Sequence, residues 1–109
     1  MAKQKTLSRP KTKSLGICVT GTVKSIGAKG QLVTDITNDS ISEAGQDDSV
    51  TVKFAEHETI GVYPQDHGQP DATLVASCGA SGCLEIEIVG ISISEMLCIK
   101  AGVPVSVSF

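Results

Sequence analysis

The 109-residue chain has a formal net charge of −3, is 40% hydrophobic and 19% charged, and contains only 3% aromatic residues. Its size suits one domain and leaves too little material for two cores with a cleft between them. No apolar run is long enough to cross a bilayer, and MAKQKTLSRPKTK has no apolar stretch behind its charges. The expectation is therefore a cytoplasmic protein with no membrane span and no secretory leader.

Residues 1–14 are polar, basic and interrupted by Pro10, and read as a disordered arm. Lys3, Lys5, Arg9, Lys11 and Lys13 belong to it, whereas all 12 acidic residues lie further on. Residues 15–109 read as a single β domain. Leu15, Ile17, Val19 and Val23 alternate, with Gly21 on the same face, and predict a first strand. Gly27-Ala28-Lys29-Gly30 is a turn, and Gln31 to Thr37 follows as a second strand, completing a hairpin.

Asn38 to Asp48 reads as an acidic loop, followed by a third strand through Val50, Val52 and Phe54 and a short fourth over Thr59 to Tyr63. The Pro- and Gly-bearing stretch Pro64 to Pro70 is a loop and a plausible binding rim. A fifth strand, Thr73 to Ala76, reaches the small-residue turn Ser77 to Gly82, and Cys83 to Val89 alternates with Glu85 and Glu87 outward. Ser92-Ile93-Ser94-Glu95 has capping-box spacing and predicts a short helix near residues 93–98. Val103, Val105, Val107 and Phe109 close the chain as a last strand. The whole reads as all-β, a small barrel or sandwich of about seven short strands.

Little chemistry is visible. His57 and His67, beside Glu56, Glu58 and Asp66, read as solvated surface imidazoles, and neither sits in a nucleophile motif. Cys18, Cys78, Cys83 and Cys98 read as reduced thiols; a turn can bring Cys78 and Cys83 close, but two thiolates do not close a zinc site. GAKG and GASG lack the spacing of a phosphate loop. The basic arm offers nucleic acid a contact by charge alone, while the acidic body and few aromatics argue against a stacking platform. No catalytic and no metal-binding residues are assigned.

Gly21 to Ile36 (GTVKSIGAKGQLVTDI), Ser81 to Leu97 (SGCLEIEIVGISISEML) and Lys100 to Val107 (KAGVPVSV) together resemble the C-terminal β domain of the S-adenosylmethionine (SAM) hydroxide adenosyltransferases. That family includes the SAM-dependent fluorinase and chlorinase. Its pattern GxVxxIDxFGNLxTNI is matched at Gly21, Val23, Ile26, Gly30, Leu32, Thr34 and Ile36. The resemblance implies a trimer in which SAM lies between this domain and the larger N-terminal domain of a neighbouring subunit. The chain has no equivalent of that N-terminal domain. The family's ligand-contacting Asp and Phe fall at Gly27 and Lys29, and its adenine-reading Asn at Gln31. The implied ligand is SAM or adenosine, held by Gln31, by Tyr63 as the stacking aromatic, and by backbone groups of Ile88, Val89 and Gly90. The expected function is a non-catalytic binding or assembly module. Its alternatives are a subunit completing an adenosyltransferase site with a separately encoded partner, and a nucleic-acid-associated barrel using its basic arm.

Overall fold

A computed structural model describes residues 17–46 and 49–109; the basic arm, Leu15, Asp47 and Asp48 lie outside the described residues. The fold is mostly β, with seven antiparallel strands in a nearly closed barrel and one short helix. The strands are β1 (Cys18–Ile26), β2 (Leu32–Thr37), β3 (Thr51–Phe54), β4 (His57–Ile60), β5 (Leu74–Cys78), β6 (Cys83–Ile88) and β7 (Pro104–Ser108). Their order round the barrel is β4-β3-β7-β1-β2-β6-β5.

Alternation decides what faces in. Leu32, Leu84, Ile86, Val52 and Val107 are fully buried and meet Phe54 and Ile93 in one core. Each such side chain contributes roughly 1.5–3 kcal/mol on burial.

The long strand β1 joins the two halves of the sheet. Its first part pairs with β7, from Cys18↔Ser108 to Thr22↔Pro104, and its second with β2, from Val23↔Thr34 to Ile26↔Leu32. A bulge between Val23 and Ser25 marks the change of partner, since an extra residue bends the strand. Just before it, the Thr22 N–H donates to Asp35 Oδ1 at 2.9 Å. Gly21 makes this possible, because any Cβ there would stand on the Asp35 carboxylate.

The barrel closes at the β4–β5 seam. Thr59 Oγ1 donates to the Leu74 carbonyl at 3.3 Å, and Tyr63 pairs in parallel with Ser77. In the middle of the sheet, Ile17 and Phe109 extend the β1–β7 ladder with two backbone hydrogen bonds of 3.1 and 2.9 Å.

Several boundaries differ from the sequence reading. The fourth strand is His57–Ile60, because Ala55 takes a φ of 51° and turns the chain straight after Phe54 without a glycine. Beyond it Gly61, at φ 87°, reverses the alternation, so Ile60 is exposed and Val62 buried. The acidic loop begins as a single 3-10 turn, Asn38–Ile41, capped by Thr37. The helix α1 is one turn, Ile93–Met96, in which the Ser92 hydroxyl accepts from the Glu95 N–H at 3.4 Å.

Candidate ligand-binding site

The site is built on the β1–β2 turn. The Gly30 N–H donates to the Gly27 carbonyl at 2.9 Å and the Gly27 N–H to the Gln31 carbonyl at 2.8 Å, with Gly30 at φ 82°. This is a type I turn followed by a glycine bulge, a common three-residue hairpin connection. The Gln31 side chain folds back over it: Oε1 accepts from the Lys29 N–H at 3.0 Å. The amide occupies the space where a Cβ on Gly27 would lie. The glycine at 27 and the longer amide at 31 are therefore one coupled feature. Gln31 Nε2 donates to nothing among the described residues.

Gln31 stands one residue before the Leu32↔Ile86 pair, which aligns it with Glu87 on β6. Cross-strand neighbours of this kind lie about 5 Å apart. Glu87 Oε2 in turn meets His67 Nε2 at 3.0 Å, and His67 Nδ1 accepts from the Gln69 N–H at 3.0 Å. An Nδ1 that accepts places the ring proton on Nε2, facing the carboxylate. The His67 side chain is 8% exposed. The expectation of a solvated imidazole is thus corrected: His67 pins the loop after β4 against the outer face of β6. His57 is half-buried, with its ring centroid 5.6 Å from that of Phe54.

Ile88, Val89 and Gly90 follow directly. Val89 donates to the Thr73 carbonyl at 3.0 Å and accepts from the Ala72 N–H at 2.8 Å, while the Ile88 carbonyl accepts from Ile91 at 3.0 Å. Gly90, at φ 79°, ends the strand beside the Asp71 carboxylate. Gln31 and the Ile88–Gly90 turn thus share one end of the barrel, where β2 begins and β6 finishes.

Tyr63 is not part of that cluster. Its N–H donates to Ala76 and its carbonyl accepts from Cys78, both at 2.9 Å, on the far side of β5. With β6 and β5 between them, the Gln31 and Tyr63 backbones are about 14 Å apart along the sheet. The His67–Glu87 contact was invisible to spacing, because it joins a loop to a strand 20 residues away.

Cys78 and Cys83 do not approach as a pair. Cys78 is opposite Leu84 and packs on the core, so Cys83, one residue earlier, points outward. All four cysteines are free, and burial pushes the Cys78 thiol up from its ordinary value. No group of three or more His, Cys, Asp or Glu side chains gathers to hold a metal among the described residues. No helix among them is long and apolar enough to cross a membrane.

A cleft of about 360 Å³ lies elsewhere, where β1, β3 and β7 meet, and is lined by Thr20, Gly21, Lys53, Phe54, Pro104 and Ser106 among others.

These features define a small antiparallel barrel with a polar cluster at one end. No family model and no curated protein matches the chain. Among solved structures it is similar to an uncharacterized conserved protein from Thermotoga maritima, with a TM-score of 0.68 and 20% identity. That match covers 96% of this chain and 40% of the other. A conserved hypothetical protein from Thermus thermophilus matches with a TM-score of 0.62 and 23% identity, over 81% of this chain and 34% of its own. The chain thus spans well under half the length of either, and what is shared is the fold.

Proposed function

We propose that this barrel is a non-catalytic binding and assembly module, akin to the C-terminal domain of the SAM hydroxide adenosyltransferases. It takes an adenine nucleoside against Gln31 and the Ile88–Gly90 turn. The observation that carries the reading is the convergence of these segments at one end of the barrel, with Gln31 Nε2 left to donate. An amide reads an adenine edge by donating and accepting together. Because Tyr63 lies across β5, the stacking aromatic for one copy comes from a second copy, which makes the module a homo-oligomer. The cytoplasm suits a barrel whose four cysteines are all thiols.

The test is calorimetric titration of the purified chain with adenosine and with SAM. Binding is expected to weaken about tenfold in Gln31→Ala, the loss of roughly 1.4 kcal/mol of hydrogen bonding, and to stay unchanged in Lys53→Ala at the separate cleft. Light scattering is expected to show an oligomer that Tyr63→Ala leaves intact while adenosine binding falls. Equal affinity in the parent and Gln31→Ala chains rejects the adenine site, and release of adenosine from SAM by the chain alone rejects the non-catalytic reading.

A second reading rests on the sequence resemblance to the adenosyltransferase C-terminal domain. The barrel then completes an adenosyltransferase site with a separately encoded partner, and adding that partner restores turnover.

A further inference from the structure

Lys24 occupies the bulge where β1 changes partner, between Val23 and Ser25. Its side chain crosses β2 and places Nζ 3.8 Å from Cys83 Sγ on β6. Asp35, an acid on the intervening strand, is engaged by Thr22 through both carboxylate oxygens, at 2.9 and 3.3 Å. Lys24 makes no ion pair among the described residues, so its amine is left with the sulfur.

The other cysteines are placed differently. Cys18 Sγ takes a hydroxyl from Ser108 at 3.8 Å, and Cys98 Sγ donates to the Glu95 carbonyl at 3.9 Å. Cys78 packs on the core. Among the described residues Cys83 alone has an amine at its sulfur, and it is 8% exposed.

We propose that Lys24 and Cys83 form an oxidative modification site, in which hydrogen peroxide links them through a sulfenamide bond. In the first step the Cys83 sulfur attacks a peroxide oxygen. The O–O bond breaks, the thiol becomes sulfenic acid by a two-electron oxidation, and one water leaves. In the second step the unprotonated Lys24 amine attacks that sulfur. An S–N bond forms, the S–O bond breaks, and the hydroxyl departs with an amine proton as a second water. The pair loses two hydrogens overall. Sulfenic acids are known to condense with nitrogen in this way, and an amine already at the sulfur makes the second step intramolecular. The product ties β1 to β6 across β2, and dithiothreitol reopens it.

The experiment treats the folded chain with hydrogen peroxide at mildly alkaline pH, then maps peptides by mass spectrometry. The expected result is one linked pair containing Lys24 and Cys83, lighter than the separate peptides by two hydrogens and separated by dithiothreitol. The link disappears in urea, in Cys83→Ser and in Lys24→Arg, which keeps charge and reach without a free amine. In Lys24→Arg, dimedone traps the sulfenic acid at Cys83, which shows that the thiol is still oxidised, and an unchanged thermal melt shows that the variant is folded. Recovery of Cys83 as sulfinic acid with Lys24 still open to acetylation overturns the proposal. So does an unchanged Cys83 under conditions that oxidise Cys18 and Cys98.

Discussion

The Thr34 hydroxyl stands in for a missing ladder bond. It is fully buried, donates to the Leu84 carbonyl at 2.8 Å and accepts from the Ile36 N–H at 3.2 Å, where the β2–β6 register slips. Thr34→Val keeps the shape and leaves both backbone groups unpaired, so it is expected to cost about 1–3 kcal/mol, read by urea denaturation. Thr20→Val, on the exposed face of β1, serves as a near-neutral control. The sequence marked Thr34 only as a strand residue within a resemblance, because nothing in a lone threonine announces that its oxygen replaces a peptide. Cys78 carries a prediction in pH. Its thiol is raised by burial, so the folded chain holds that proton more tightly than the unfolded one. The resulting stability is full below the ordinary thiol value and is lost as pH rises through the raised one. Alkaline denaturation is expected to steepen in the parent chain relative to Cys78→Ala, and iodoacetamide is expected to label Cys18 and Cys98 before Cys78.

Two turns of like design show what an element asks of its residues. Gly27 to Gly30 and Gly79 to Gly82 close with the same hydrogen-bond pattern, and Gly30 and Gly82 take φ of 82° and 89°. Their surroundings differ: a Cβ on Gly82 meets nothing within 4 Å, whereas one on Gly30 would come within 2.8 Å of the Ser92 Cα. The Gly30 carbonyl also accepts from the Ser94 N–H at 3.1 Å, docking α1 onto the hairpin. Gly82→Ala is expected to cost only the left-handed backbone, roughly 1–2 kcal/mol. Gly30→Ala is expected to cost distinctly more, and paired thermal melts give the difference as the strength of the turn-to-helix contact. Both turns were legible from composition, as were β6 and β7 from their alternation. The β3–β4 turn was not, since Ala55 and Glu56 carry no turn signal and the hairpin forces Ala55 to positive φ. The candidate site was legible in part: Gln31 and the Ile88–Gly90 turn meet because antiparallel pairing brings those strand ends together. Tyr63 was misplaced because the β4–β5 crossing is a matter of barrel closure, which no local pattern records.

At the scale of the molecule, the last strand to be made holds the middle of the sheet. β7 lies between β3 and β1, pairing Val105 with Phe54 and Gly21 and Val107 with Val52 and Val19. Removing Pro104–Phe109 is expected to abolish the barrel rather than trim an edge, with loss of the far-UV strand signal and of the cooperative melt. The same topology predicts slow folding, on the order of milliseconds to seconds in stopped-flow refolding, because β1 must wait for β7 before sheet closure.

The two hydrogen bonds between Ile17 and Phe109 have a consequence for how such a barrel travels between proteins. Entry and exit lie side by side, so the unit can be spliced into a surface loop of a host through a single point, without stretching either chain. By the same geometry, a short linker joining 17 to 109 and a cut between Gly79 and Gly82 should yield a permuted chain with the same barrel.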